Sequence, residues 1–228
     1  MSLCALLACV SVSAQQTANS GPVDHFHTVN LTGGIVAKLV PSDVNSVDVF
    51  ITDADIKQLK WGVTNGVLSV TFRQPTVKSG KAEVIIQYTD SLKSVSISNG
   101  ELSFEDLRAA RVLNLAVKGG GILSGYVDVL DLVLDVTGNS AASMKGAAKY
   151  VTLRVTEKSK ADVREVNAAS VEADATGGAE AFLTATERLV ANAKTGATIF
   201  YTGSPYIVRD RSSKLNSSIG SSVLNIGK

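Results

Sequence analysis

Cysteine is almost missing from this chain. Among 228 residues there are two, Cys4 and Cys9, both in the opening segment. The rest has no disulfide framework, no thiolate metal site and no cysteine nucleophile. Aromatic residues make up 5% of the chain and histidine occurs twice. Charge of one sign is missing as well: 22 Lys and Arg face 21 Asp and Glu, a net charge of +1. That balance gives no electrostatic footprint for nucleic acid or an acidic membrane. The apolar run from Leu3 to Val12 falls short of the roughly 20 residues a membrane-spanning helix needs.

What is present favours strands. Hydrophobic residues reach 45% and are mostly Val, Leu, Ala and Ile, a mix that fits pleated sheets better than helices. Four prolines and 19 glycines fit many tight corners and stay below the level that marks disorder.

The first fourteen residues, MSLCALLACVSVSA, stand apart. An apolar stretch ending in Ser11-Val12-Ser13-Ala14 supplies the small-residue pattern that a signal peptidase reads. The expected division is a signal peptide over 1–14, a flexible polar lead-in over 15–25, and one domain over 26–228. An alternative is a lipoprotein box in Leu6–Cys9, with Cys9 lipidated instead of cleavage after Ala14.

Between Phe26 and about Arg73 the apolar residues alternate with period two, interrupted by turn signals. Asn65-Gly66 is a strong hairpin signal, and DADIKQLK suggests a short helical turn. From residue 93 the pattern falls into register. KSVSISNGE (93–101), LNLAVKGGG (113–121), LVLDVTGNS (132–140), VTLRVTEKS (151–159), VEADATGGA (171–179) and LVANAKTGA (189–197) follow one another at offsets of 20, 19, 19, 20 and 18. A second alternating piece follows: ILSGYV, AASMKG, ADVREV, EAFLTA, TIFYTG.

A coil this short cannot close a core alone. Each inward aliphatic gains roughly 1.5–3 kcal/mol on burial, while each ordered residue costs about 1–2 kcal/mol of backbone entropy. The copies must therefore stack, each strand bonding its equivalent in the next copy. The predicted fold is all-β: a parallel β-solenoid of 18–20-residue coils with a strand-rich N-terminal cap. The competing reading is a β-sandwich with evenly spaced strands.

The ending GATIFYTGSPYIVRDRSSKLNSSIG (196–220), the small-residue corners and VTNGVLSVTF (63–72) resemble the head GIN domain family. The most specific part is Tyr201, Gly203 and Pro205, in the pattern Y-x-G-x-P, and the resemblance runs from Phe26 to Lys228. That family is described as a "putative auto-transporter adhesin" head. The resemblance implies a β-helical, secreted or surface-attached protein of a Gram-negative bacterium, with no established catalytic residues. One corner departs from the pattern: TEKS (156–159) stands where the family carries small residues, and is expected to protrude.

Chemistry-bearing residues are few. On a strand His25 and His27 would share a face, and with Asp24 nearby in sequence a two-His-one-Asp metal site can be imagined; the plain reading is a solvated strand start. Asp128, Asp131 and Asp135, or Glu101, Glu105 and Asp106, are the carboxylates from which a glycan-cleaving pair would come. Such chemistry needs two carboxyls about 5–9.5 Å apart in a substrate-sized cleft. KGGG (118–121) lacks the GK[ST] ending of a phosphate loop and reads as a corner. Trp61, Tyr88, Tyr126, Tyr150, Tyr201 and Tyr206 are candidates for stacking on sugar rings or for ordinary packing. Asn30 and Asn216 head N-x-[ST] patterns, and Ser91 in Asp90-Ser91-Leu92 matches a short O-glycosylation signal.

No catalytic, metal or cofactor residue is assigned from these patterns. The leading expectation is an exported, non-catalytic, adhesin-like module that binds a glycan or a surface protein. Its rivals are a carbohydrate-active enzyme built on a β-helix and a structural envelope protein that assembles through an exposed solenoid edge.

Overall fold

Period-two alternation dominates the structure, a computed structural model. It describes residues 16–52, 54–73, 80–107, 109–211 and 218–221. The segment expected to be a signal peptide, including Cys9 and Ala14, lies outside the described residues, as does Asn216.

Among the described residues eighteen strands form one continuous sheet system. In chain order they are β1 (Gln16–Pro22), β2 (Thr28–Thr32), β3 (Ile35–Pro41), β4 (Ser46–Thr52), β5 (Leu59–Thr64), β6 (Val67–Phe72), β7 (Lys81–Tyr88), β8 (Leu92–Ser98) and β9 (Glu101–Phe104). Then come β10 (Ala109–Lys118), β11 (Ile122–Val136), β12 (Ala141–Val155), β13 (Lys160–Ala175), β14 (Glu180–Thr184), β15 (Arg188–Ala193), β16 (Thr198–Thr202), β17 (Ile207–Asp210) and β18 (Ser218–Ser221).

From β8 onward every pairing is parallel and joins one coil to the next. Ser94 faces Asn114, Asn114 faces Val133, Val133 faces Thr152, Thr152 faces Glu172 and Glu172 faces Val190. These are the offsets the sequence repeat requires, so the fold is a parallel β-solenoid. β11, β12 and β13 run unbroken round two faces of a coil, and their burial alternation changes phase at the bend.

The N-terminal strands do more than cap. β2 lies between β6 and β8, and β3 between β7 and β9, all parallel. The first coil in sequence is therefore sandwiched between later ones. Antiparallel strands then seal that end: β5 on β6, β4 on β7 and β1 on β4. The hairpin signal is realised, with Asn65 and Gly66 at φ 52° and 74° between β5 and β6. The helical turn is a short 3-10 helix, Ile56–Gln58, whose first amides are capped by Asp55 accepting from Lys57 N at 2.9 Å. Residues 16–22, expected within a flexible lead-in, form β1, because β4 offers an edge for their backbone to pair with.

The core is a set of inward ladders. One reads Val95, Leu115, Leu134, Leu153, Ala173, Ala191 along successive coils. A second reads Ile97, Val117, Val136, Val155, Ala175, Ala193. Both shrink toward the C-terminal coils, where the repeat also shortens to 18 residues between Glu172 and Val190. Smaller inward side chains let the backbone of a coil close around less volume at interior packing density.

The corners form ladders too. Gly119–Gly120, Gly138–Asn139, Glu157–Lys158, Gly177–Gly178 and Thr195–Gly196 all have positive φ. The second residue of each corner donates its amide to the first carbonyl of the next: Gly120 to Gly138 (2.8 Å), Asn139 to Glu157 (3.0 Å), Lys158 to Gly177 (3.0 Å) and Gly178 to Thr195 (3.0 Å). The TEKS corner therefore does not protrude, contrary to its composition. Displacing it would break two rungs, so Glu157 and Lys158 accept left-handed backbone at φ 57° and 59°. Beneath the corners, buried Ser159 accepts the Ser140 amide at 3.1 Å through its hydroxyl.

Glycine is obligatory at the bends. A Cβ on Gly146 would stand 2.0 Å from the Val127 carbonyl oxygen, and one on Gly203 would stand 2.2 Å from that of Ala185. Gly203 is the middle residue of the Y-x-G-x-P pattern, which thus marks a place where one coil crosses the next with no room for a side chain.

Candidate functional site

The outward side of the sheet containing β7, β3, β9, β11, β12 and β13 carries a trough built from three overlapping depressions. The first, of about 420 Å3, is lined by Lys38, Phe50, Glu83, Ile85 and Ser103 among others. The second, of about 370 Å3, shares Lys38 and Ser103 and adds Glu105, Ser124, Tyr126, Ser143 and Lys145. The third, of about 270 Å3, shares Ser124 and Ser143 and reaches Ile122, Lys160 and Asp162.

Register places the floor of this trough. Lys38 faces Ser103, Ser103 faces Ser124, Ser124 faces Ser143, Ser143 faces Asp162, Asp162 faces Phe182 and Phe182 faces Phe200. Neighbours in this row lie between buried residues such as Leu102, Leu123 and Ala142, so alternation alone turns the row outward. Six inter-strand steps of about 4.8 Å give the row a length of roughly 29 Å. The hydroxyls of Ser103, Ser124 and Ser143 have no hydrogen-bond partner among the described residues, and neither does the Tyr126 phenol.

Ion pairs line the trough. Lys38 Nζ meets Glu105 at 2.8 Å, Lys145 meets Glu165 at 3.0 Å, Lys160 meets Glu180 at 3.5 Å, and Arg164 clasps Asp162. The hydrogen bond from the Arg164 side chain is the main cause that holds Asp162 below the ordinary aspartate range, against the opposing effect of desolvation. Glu105 is lowered likewise, first by the hydrogen bond from Lys38 and then by its charge. Past Asp162 the same outward row turns aromatic. Phe182 and Phe200 stack with centroids 5.0 Å apart, and Lys160 and Arg164 lie 4.8 and 5.2 Å from the Phe182 ring centre.

The residues singled out from sequence are scattered. His25 Nδ1 pairs with Asp90 Oδ2 at 3.0 Å, while His27 Nδ1 meets Thr28 Oγ1 at 3.1 Å and its ring packs beside Gly66. The two histidines and Asp24 do not assemble. Among the described residues no group of three or more His, Cys, Asp and Glu is arranged to hold a metal. Asp131 and Asp135 lie four residues apart on one outward row, about 13 Å along the strand, and Asp135 is paired with Arg154 at 3.3 Å. Asp128 lies on the other side of the bend. Glu101 and Glu105 are spaced the same way, and Asp106 is exposed beside Glu105. KGGG is the first of the stacked corners.

Tyr88 is buried, and Trp61 and Tyr201 are half-buried against the core. Tyr126, Tyr150 and Tyr206 are exposed, with Lys149 over the Tyr150 ring at 5.4 Å. Asn30 accepts a 2.7 Å hydrogen bond from Ser96 within the sheet, whereas Ser91 is exposed in the turn before β8. At the C-terminal end, β17 exposes Ile207 and Val208.

Sequence reasoning found Tyr126 and Glu105 but missed Lys38, the three serines, Lys145 and the Phe182–Phe200 pair. The signal was available. ILSGYV and AASMKG carry serine at the same third position, so aligning the second strands of the repeats gives the column.

Comparison with known proteins agrees with this architecture. Residues 25–205 match the model of the family described as "putative auto-transporter adhesin, head GIN domain". A "putative adhesin" from Bacteroides fragilis superposes with a TM-score of 0.78 at 19% identity, covering 90% of this chain and 96% of that one. A "putative adhesin" from Parabacteroides merdae gives 0.67 at 17%, covering 91% and 96%. A "putative lipid binding protein" from Parabacteroides distasonis gives 0.65 at 15%, covering 90% and 95%. At these identities the likeness is one of fold. No curated protein matches the chain.

Proposed function

This chain belongs to the head GIN domain family, and we propose that it is an exported, adhesin-like binding module that works without catalysis. The observation that carries the reading is the trough itself: a row of outward side chains held in register on a rigid parallel ladder, open along its length. Repeated polar groups on such a frame suit many weak contacts with an extended partner better than one deep pocket for a small molecule. The family description and the adhesin-named structural relatives support the same class.

Placement of the acids supports a non-catalytic role over the glycan-cleaving alternative. Each depression is lined by one carboxylate, Glu83, Glu105 or Asp162, and a fourth depression of about 380 Å3 near Asn45 by Asp48, while Glu165 and Glu180 beside the trough are held in ion pairs by Lys145 and Lys160. Glycoside cleavage by a carboxylate pair needs two converging on one bond. Export accords with the signal-peptide-like opening segment and the adhesin assignment of the family. On this reading the protein works in the periplasm, on the outer surface or in the medium.

The test is to immobilise the protein and probe arrays of glycans and of bacterial and host surface proteins, assaying any bound glycan for shortening. Specific binding with the ligand intact is the expected result. Chain cleavage, or no ligand in either class, would refute the reading. Fractionation of the source cells checks export, and recovery of the protein in the cytoplasm would count against it.

A further inference from the structure

We propose that the trough takes a neutral polysaccharide chain laid along the solenoid axis, with Tyr126 as its stacking platform; this deepens the binding-module reading and rests on it. The chemistry of the floor comes first. Ser103, Ser124 and Ser143 present, on three adjacent strands of the sheet, hydroxyls with no hydrogen-bond partner among the described residues. A hydroxyl both donates and accepts, as each sugar hydroxyl does, so a row of them matches a polyol without fixing its direction.

Charge narrows the class. All four cations along the trough, Lys38, Lys145, Lys160 and Arg164, already hold a carboxylate. An anionic chain would have to displace Glu105, Glu165, Glu180 or Asp162 or lie against them. A neutral chain accepts hydrogen bonds from the lysines and donates to the glutamates with every pair intact.

Aromatic faces and shape narrow it further. Tyr126 is exposed beside Ser124 and Lys145 in the same depression, and offers a ring on which a pyranose can stack. The Phe182–Phe200 stack lies farther along the same row. Successive floor groups recur at about 4.8 Å, and the row extends for roughly 29 Å, room for several sugar units. An acyl chain would need an enclosed apolar cavity in place of an open trough floored by hydroxyls. A peptide strand would need free backbone edges, and the backbone under the trough is already paired on both sides.

The experiment uses the whole exported chain with three probe sets: neutral gluco-, manno- and galacto-oligosaccharides of increasing length, acidic oligosaccharides, and zwitterionic and anionic phospholipid vesicles. Tyr126→Ala and Ser124→Leu alter the trough, and Tyr150→Ala alters an exposed tyrosine outside it. Thermal midpoints confirm that each variant folds, and Ser143→Leu replaces Ser124→Leu if the latter does not. Expected is binding of a neutral oligosaccharide that tightens with chain length, weakened about tenfold or more by each trough variant and unchanged by Tyr150→Ala. Binding of acidic chains or vesicles alone overturns the proposal, as does neutral-glycan binding indifferent to the trough variants. Capture of a protein ligand alone overturns this proposal and leaves the binding-module reading standing, whereas no ligand in any class defeats both.

Discussion

The ring of Phe104 occupies the space where a side chain at Gly125 would stand: a Cβ there would lie 2.2 Å from Phe104 Cδ2. The two residues face each other in register between β9 and β11, so one coil supplies the bulk that the next omits. Gly125→Ala should destabilise the fold by about 1–3 kcal/mol through overpacking. Phe104→Leu in the same chain should recover part of the loss. Denaturant midpoints of the two single variants and the double variant decide it; an unchanged midpoint for Gly125→Ala would mean that the ring moves aside freely.

Lys158 pays for its corner with left-handed backbone at φ 59° and makes no side-chain hydrogen bond or ion pair among the described residues. Lys158→Gly removes strain of about 1–3 kcal/mol and adds about 0.5–1 kcal/mol of unfolded-state entropy. The difference leaves a net gain of up to about 2.5 kcal/mol, read as a raised thermal midpoint. The reverse change, Gly178→Lys, should lower it.

Asp162 titrates below the ordinary aspartate range because the Arg164 side chain bonds to its ionised form. A carboxylate depressed on folding contributes stability above its unfolded pKa, about 3.9, and loses it as pH falls through the lower folded value. Wild-type stability should therefore drop in acid more than that of Asp162→Asn. Urea midpoints from neutral pH to well below the aspartate range test this, and parallel acid limbs for the two proteins would contradict it.

Phe182 and Phe200 stack on adjacent strands of the C-terminal coils. Replacing each with leucine, singly and together, should reveal a coupling of about 0.5–1.5 kcal/mol beyond simple area loss. Additive single effects would show that the rings only share a neighbourhood.

Much of this fold was legible in the sequence because a solenoid writes its register into the chain. Inward positions must recur wherever coils stack, so the offsets from Ser94 to Asn114 and onward appear as a repeat. The placing of β2 between β6 and β8 left no such trace, since each of those strands has the same alternation and any parallel neighbour would satisfy it. The TEKS corner misled for a related reason: residue type reports intrinsic preference, while two neighbouring corners held Glu157 and Lys158 in line. The trough was hidden because its residues are ordinary. Serine and lysine carry no motif, and only their alignment across coils gives them a shared surface.

Two of the inward ladders pass from leucine and valine to alanine toward the C-terminal coils. Along those two lines each step into alanine gives up roughly two or three methylene-sized groups of burial, at about 0.8 kcal/mol apiece, for nearly the same length of chain to be ordered, while Leu189 and Ile199 keep neighbouring lines filled. The opposite end is closed by antiparallel strands. Fraying should therefore begin at β15 and β16 and reach the strands under Lys38 and Ser103 last, which amide hydrogen exchange would show as weaker protection over the C-terminal coils.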